Sequence, residues 1–296
     1  MFESKKYKYL LLVLLLITSI GSQALDLSAE SNRRSSGRRR LATAAMRIEI
    51  DFSYADYKYS ANGATDQAKY IFAKRLILKT KDLYSAIFLV KDPMLTNVIP
   101  DFNTTGNLKI TGKTISADLL TVFLPYSKTD STFASAAPQI FEPNTGRPIA
   151  GEFNINLNAI NPTPANEVFH FGTFVHEFYH ILVFNNYLYS KFVGVDNKPV
   201  GESTFLKTGI QLAGKTRAGY QGPQVLSAVK TFINDNSLAY VMLENNGGDG
   251  SAFSHWAYIY WPVDFMSPID TVPSLLTAMS LTMARDTGWF DYKPEL

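Results

Sequence analysis

The chain contains no cysteine among its 296 residues. This absence excludes disulfide bonds, thiolate metal ligands, a cysteine nucleophile and latency controlled by a thiol. Stability must therefore come from an apolar core, together with any bound metal. Hydrophobic residues make up 46% of the sequence, which is enough for a sizeable core.

A strong charge of one sign is absent too. The formal net charge is +2, and beyond Ala45 the chain carries 20 basic and 23 acidic residues. Nucleic-acid binding is not expected, because it needs a concentrated basic surface. The length allows one large domain or two lobes around a cleft.

No apolar run is long enough to cross a bilayer, which needs about 20 residues. The longest candidate, from Leu10 to Ile20, falls well short of that length, and it follows three lysines and precedes Ser22-Gln23-Ala24. These features predict a signal peptide over residues 1–24, cleaved after Ala24. The mature protein is therefore expected to be extracellular, either secreted or held at a cell surface, without a transmembrane segment.

Residues 25–46 are polar and arginine-rich, and we interpret them as a flexible linker or as a short pro-segment with a basic processing site. Beyond them, the hydrophobic periodicity predicts strands and helices in the first half of the chain, and helices with loops in the second. Thr163 and Pro164 predict the start of a long helix that continues into residues 176–180. The predicted strands are 47–54, 86–90, 117–125, 132–136 and 152–157, and the other predicted helices are 66–84, 222–234 and 273–286.

The sequence His176-Glu177-Phe178-Tyr179-His180 lies in this long helix. Residues four apart share one face of a helix, so both imidazoles can point at one metal ion. Glu177 is the next residue round the helix, close to the ion without facing it, which suits a general base that activates water. We therefore predict that His176 and His180 bind one zinc ion per chain and that Glu177 is catalytic.

A catalytic zinc site needs a third protein ligand, and the sequence offers two kinds. Glu202 follows His180 at a separation near the reach of a thermolysin-like site, whereas His255 lies much farther along the chain. The remaining histidine, His170, falls on a different helical face from His176 and is expected to be a packed or surface residue. The residue types alone leave Glu202 and His255 open.

The surroundings of His255 resemble the leishmanolysin family of surface metallopeptidases, within the metzincins. That family combines the His-Glu-x-x-His helix with a Gly-Gly-x-Gly turn leading into Ser-His-Trp, and with a methionine beneath the metal. The resemblance extends roughly from Arg47 to Phe290, and its motifs occur in the family's order. They are Gly146–Gly151 with Phe153–Asn156, residues 176–180, Gly247–Gly250 with Ser254–Trp256, Asp264–Pro268, and Ala284–Phe290.

The resemblance implies that His255 is the third zinc ligand and that Met266 is the Met-turn residue. It implies an α+β, metzincin-like fold. An N-terminal lobe at residues 47–184 would hold a mixed twisted sheet and the active-site helix, and a C-terminal lobe at 185–296 would be mostly helices and loops, with the zinc cleft between them. The implied activity is hydrolysis of peptide bonds in extended protein or peptide substrates, which would pair with the strand near residues 132–136.

One position departs from the metzincin pattern. The glycine usually found three residues after the second histidine is Val183 here. A β-branched residue in the left-handed conformation costs about 1–2 kcal/mol or more, so we expect a helix that continues past Val183 or a strained turn. This departure motivates an alternative function, a catalytically impaired zinc-containing protein that is secreted or binds surfaces.

A modification site is also predicted from the sequence. Asn103-Thr104-Thr105 fits the acceptor pattern for N-glycosylation. Asn161-Pro162-Thr163 also has an asparagine two residues before a threonine, but the proline between them excludes it as an acceptor. We therefore predict Asn103 as a glycosylation site.

Overall fold

The computed structural model describes residues 43–59, 64–129, 132–246, 252–269 and 274–293. The predicted signal peptide at 1–24, nearly all of the basic segment at 25–46 and the glycine turn at 247–250 lie outside these residues. Leu41–Leu296 form a compact unit, and its mixture of strands and helices confirms the predicted α+β class. The boundary between two lobes near residue 184 stays a prediction.

Five α-helices and fourteen β-strands make up the regular structure of the described residues. The helices are α1 (Ser53–Tyr59), α2 (Ala64–Ile87), α3 (Pro164–Leu182), α4 (Pro223–Ile233) and α5 (Ala278–Asp286). The strands are β1 (Thr43–Ala45), β2 (Ile48–Asp51), β3 (Phe88–Lys91), β4 (Asn97–Ile99), β5 (Phe102–Asn103), β6 (Lys109–Ile110), β7 (Lys113–Ile115), β8 (Leu119–Tyr126), β9 (Ala134–Phe141), β10 (Pro148–Asn156), β11 (Leu206–Leu212), β12 (Lys215–Tyr220), β13 (Val241–Met242) and β14 (Phe290–Tyr292).

The central sheet has four strands in the order β2-β8-β10-β9. Strand β8 is parallel to both of its neighbours, β2 and β10. Its apolar run is buried on both faces, as predicted, because parallel strands in a mixed sheet are covered on either side. Strand β9 is antiparallel to β10 and forms an edge, so the predicted edge strand is confirmed but is longer than 132–136.

Helix α3 packs on this sheet through aromatic side chains. The rings of Phe174 on α3 and Phe153 on β10 lie 5.0 Å apart, and Phe153 also meets Phe123 on β8. The helix starts at Pro164, as predicted, with Thr163 in the N-cap position. The Thr163 side chain does not cap the helix through a backbone N–H group. Its hydroxyl oxygen accepts a hydrogen bond from the Asn166 side chain.

Most predicted elements differ from the observed ones by a few residues at an end, and two of these differences have a visible cause. The strand predicted at 47–54 ends at Asp51, because the Asp51 carboxylate accepts a hydrogen bond from the Ser53 N–H and α1 begins there. The last helix starts at Ala278 rather than near 273. Thr277 caps it by accepting a hydrogen bond from the Ser280 N–H.

The second half of the chain contains a sheet that the sequence did not predict. Strands β11, β12 and β13 form an antiparallel sheet, so helices and loops alone do not describe residues 185–296. In β11 only Ile210 is buried, and the alternating apolar pattern of a strand is therefore missing. Ala213 and Gly214 form the turn between β11 and β12, and both adopt positive φ, as a tight hairpin requires. The signal present in the sequence was Gly214, because glycine favours this conformation.

Gly151 allows the close approach of α3 to the sheet. A Cβ atom built there would lie 2.5 Å from Ile181 Cγ2 and 2.9 Å from the Ala137 carbonyl oxygen. Ile181 follows His180 directly, so a side chain at Gly151 would press on the turn of helix that carries a predicted zinc ligand. The missing side chain is thus a packing requirement at this crossing.

We predict that Gly151→Ala lowers the free energy of unfolding by about 1–3 kcal/mol, because backbone and a packed side chain would have to move. Chemical denaturation would measure the change. Gly106→Ala is a matched control, since its Cβ would meet only Thr104 Oγ1 at 3.9 Å and should change stability by less than about 0.5 kcal/mol. Equal stabilities for the parent and Gly151→Ala would contradict the packing requirement.

Candidate metal centre

The last two turns of α3 place His176 and His180 side by side. Both are buried, and their Nε2 atoms lie 3.0 Å apart. The four-residue spacing produces this geometry, because it returns the second imidazole to the same face one turn later. The predicted convergence of these two rings is therefore present.

The third imidazole comes from a distant part of the chain. His255 Nε2 lies 3.1 Å from His176 Nε2 and 3.2 Å from His180 Nε2. The three histidines form the one group of at least three close potential metal ligands in the described residues. Neighbouring backbone bonds fix His255: its carbonyl accepts from the Glu244 N–H, and the Trp256 N–H donates to the Met266 carbonyl.

The structure places the alternative ligand Glu202 and the remaining histidine, His170, outside this group, and His170 is packed as expected. His170 is buried in an aromatic cluster, where its ring stacks on Phe133 at 5.1 Å. Glu202 is exposed at the start of a short 3₁₀ helix, Glu202–Thr204. Of the two possible third ligands, His255 is thus the one that lies beside His176 and His180.

Backbone carbonyls determine which nitrogen of each ring carries the proton. His176 Nδ1 lies 2.6 Å from the Phe265 carbonyl oxygen, and His180 Nδ1 lies 2.6 Å from the Phe184 carbonyl oxygen. A carbonyl only accepts, so we assign the proton to Nδ1 in both rings, which leaves a lone pair on each Nε2. Such bonds at the far nitrogen are typical of metal-binding histidines.

These lone pairs make the group suitable for a cation. Burial and the two neighbouring imidazoles lower the pKa of His180 well below its usual value, so its ring is neutral. The Nε2 atoms of His176 and His180 lie 3.0 Å apart, and lone pairs that face one another at this distance repel unless a positive ion lies between them. Three imidazole nitrogens form a donor set that zinc accepts readily.

Glu177 is half-buried on α3, between the two histidines in sequence. It directly follows His176 in the sequence of this helix. A role as general base stays a prediction at this point.

Met266, for which the family resemblance implies the Met-turn role, is fully buried in a turn. The turn is closed by the Ser267 N–H, which donates to the Asp264 carbonyl, and by the Met266 N–H, which donates to Asp264 Oδ1 at 2.7 Å. Sequence reasoning missed the contributions of Asp264 and of the Phe265 carbonyl. The Asp264 side chain bonding to a backbone N–H two residues later is a known turn signal that could have identified the first of them.

Val183 adopts neither of the two expected conformations. Helix α3 ends at Leu182, and Val183 has φ −140° and ψ −58°, outside the left-handed region. The N–H groups of Val183 and Phe184 both donate to the Tyr179 carbonyl, which closes the helix without a residue at positive φ. The chain then turns so that the Phe184 carbonyl meets His180 Nδ1, and no left-handed strain arises.

Asn103 is exposed on the short strand β5. Its side chain is accessible to a modifying enzyme at this position, and glycosylation there remains a prediction.

Comparisons with known proteins agree on one family. The sequence profile described as leishmanolysin matches residues 64–293. A leishmanolysin-like peptidase from Drosophila melanogaster is 27% identical over 188 residues, and one from Caenorhabditis briggsae is 26% identical over 187 residues. Each match covers 54% of this chain but only 27% and 28% of the respective relative. The chain therefore spans about a quarter of the length of these curated relatives.

Among the described residues, none of the helices has the length and apolar character needed to cross a bilayer.

We predict that His255→Ala weakens zinc binding by more than about a hundredfold, because loss of a direct ligand should exceed the effect of losing a supporting residue. Chelator competition on purified protein would measure the dissociation constant. Glu202→Ala is the control and should keep the parental affinity. The reverse pattern, with zinc lost only in Glu202→Ala, would contradict the three-histidine site.

Proposed function

Because the chain belongs to the leishmanolysin family of zinc metallopeptidases, we propose that it is a zinc-dependent endopeptidase. The observation that carries the proposal is the convergence of three Nε2 atoms at 3.0–3.2 Å in a buried group. The proposed activity is hydrolysis of peptide bonds in protein or peptide substrates.

His176, His180 and His255 would hold one zinc ion per chain. When bound, zinc supplies Lewis acidity, which polarises a carbonyl group and lowers the pKa of a water molecule to about 7. The protein's own contribution is to orient the imidazoles. The carbonyls of Phe265 and Phe184 do this for His176 and His180 by accepting hydrogen bonds from their Nδ1–H groups.

Glu177 would act as the general base and then as the general acid. Its carboxylate would accept a proton from the attacking water and donate it to the nitrogen that leaves the broken peptide bond. The support for this role is its place directly after His176 on α3 and its partial exposure.

Strand β9 offers a place for an extended substrate. It lies at the edge of the central sheet, and in the described residues only β10 pairs with it. A substrate strand could add to this edge through backbone hydrogen bonds, which would bind many sequences and hold them extended. We propose that the substrate cleft lies between two parts of the chain. Residues 47–184 carry His176 and His180, and residues 185–296 carry His255.

The proposal includes export from the cell. The support is the predicted signal peptide at residues 1–24. Protein substrates outside the cell would then be the accessible ones.

The alternative, a zinc-containing protein without peptidase activity, is motivated by Val183. The negative φ at this residue removes the expected strain, so the structure offers no specific observation in favour of the alternative. A peptidase assay on protein that is shown to be folded and zinc-loaded separates the two functions, since inert protein would support the alternative.

We predict that Glu177→Ala keeps its zinc but loses about 10²–10⁴-fold in turnover, because proton transfer by a positioned carboxylate contributes that much. Cleavage of casein, measured beside zinc content, would check both parts.

Glu167→Ala is the matched control on the same helix. Its carboxylate pairs with Arg75 and Lys79 at the surface in the first turn of α3, far along the helix from His176. Its removal should leave turnover within about twofold, because surface ion pairs contribute little. Parental casein cleavage by Glu177→Ala would show that Glu177 is not the base.

A further inference from the structure

Asp264 is a buried carboxylate outside the residues that would bind zinc. Its Oδ1 accepts from the Met266 N–H at 2.7 Å and from Ser280 Oγ at 2.8 Å. Its Oδ2 also accepts from Thr277 Oγ1. The donors come from the Met-turn and from the start of α5, so this one side chain joins the turn to the helix.

The turn that Asp264 holds supports two of the three histidines. The Phe265 carbonyl lies 2.6 Å from His176 Nδ1. The Met266 carbonyl accepts from the N–H of Trp256, the residue that follows His255. Two consecutive carbonyls of the turn are therefore connected to ligands from different parts of the chain.

A second connection reaches the third histidine through a side chain. The Trp256 indole N–H donates to Ser280 Oγ at 2.8 Å, and that hydroxyl donates in turn to the Asp264 carboxylate. Trp256 is fully buried against Phe184, with ring centroids 4.5 Å apart. Phe184 provides the carbonyl that meets His180 Nδ1, so the network touches the support of all three histidines.

No lysine, arginine or histidine forms an ion pair with Asp264 in the part of the chain that the structure describes. Burial raises its pKa to about 6, which shows that the charged form is desolvated. Apolar residues of similar size often stabilise a core better than a buried charge does. The carboxylate accepts hydrogen bonds from the Met-turn and from the start of α5, and an apolar residue could not hold these two segments together in this way.

We propose that Asp264 is a positioning residue for the metal centre, which fixes the Met-turn so that its carbonyls hold His176 and the segment of His255 in place for zinc. The inference rests on the proposed zinc site. It assigns to Asp264 no contact with zinc or substrate.

Asp264→Asn tests the proposal, because an amide presents N–H donors where Ser280 and Thr277 also donate. We expect the zinc dissociation constant of the folded variant to rise about 10–100-fold, the usual effect of losing a residue that supports metal ligands. Competition with a chromophoric chelator measures this constant without reference to peptidase activity.

Asp286→Asn is a matched control. Asp286 is also a buried aspartate of the α5 region with a pKa raised by burial to about 6, and it accepts backbone N–H bonds from Gln224 and Val225 at the start of α4. It also accepts a hydrogen bond from the Tyr220 hydroxyl. Its substitution should lower stability but change zinc affinity by less than about threefold, because none of these hydrogen-bond partners bonds to a histidine or to the turn at Asp264–Ser267. Equal losses of affinity in both variants would overturn the proposal, since they would indicate a general effect of instability.

Proton NMR separates a positioning role from a general loss of structure, because only a positioning role would change the signal of one histidine and not the other. In Asp264→Asn the Nδ1 proton of His176, bonded to the turn, should shift, whereas that of His180, bonded to Phe184, should shift much less. Ser280→Ala keeps Asp264 and suits a helix, so it replaces the first variant if that one fails to fold. It should weaken zinc binding by about 3–10-fold through the lost link to Trp256.

The outcomes distinguish this proposal from the proposed function. Parental affinity in both Asp264→Asn and Ser280→Ala, with zinc bound to the parent, would overturn the positioning role alone. A parent that binds no zinc would overturn the zinc site and the positioning role together.

Discussion

The candidate metal centre is built on the close approach of three imidazole nitrogens, which favours a bound cation. Three imidazole nitrogens lie 3.0–3.2 Å apart in a buried group. Two of them carry lone pairs because the Phe265 and Phe184 carbonyls require the proton on the opposite ring nitrogen. Lone pairs held this close repel one another, so the arrangement favours a cation between them and supports the proposed zinc site.

The supports of this group come from regions far apart in sequence. Helix α3 provides two histidines and is held against the sheet at Gly151, where no side chain intervenes. The third histidine is fixed by Trp256, whose ring packs on Phe184 at the end of the same helix. The end of α3 at Val183 therefore has two consequences. It stops the helix without a residue in the left-handed conformation, and it brings Phe184 against both the His180 ring and the Trp256 ring.

The parts of the site that follow from side-chain spacing can be predicted from the sequence. His176 and His180 are identifiable because a helix returns to one face after four residues, and β8 is identifiable because its apolar run is continuous. His255 needs the resemblance to a family, since a ligand so far along the chain from the helix has no local pattern. The carbonyls of Phe265 and Phe184 could not be predicted, because a backbone acceptor has no signature in the side chains. The outcome at Val183 was also beyond the sequence, which indicated an unusual helix end but not its dihedral angles.

X-ray absorption at the zinc edge of the purified, zinc-loaded protein tests the central claim most directly. The account predicts one zinc per chain, with three histidine nitrogens at about 2.0–2.1 Å and one further oxygen ligand. A spectrum that requires only two histidines, or a carboxylate in place of the third, would contradict it.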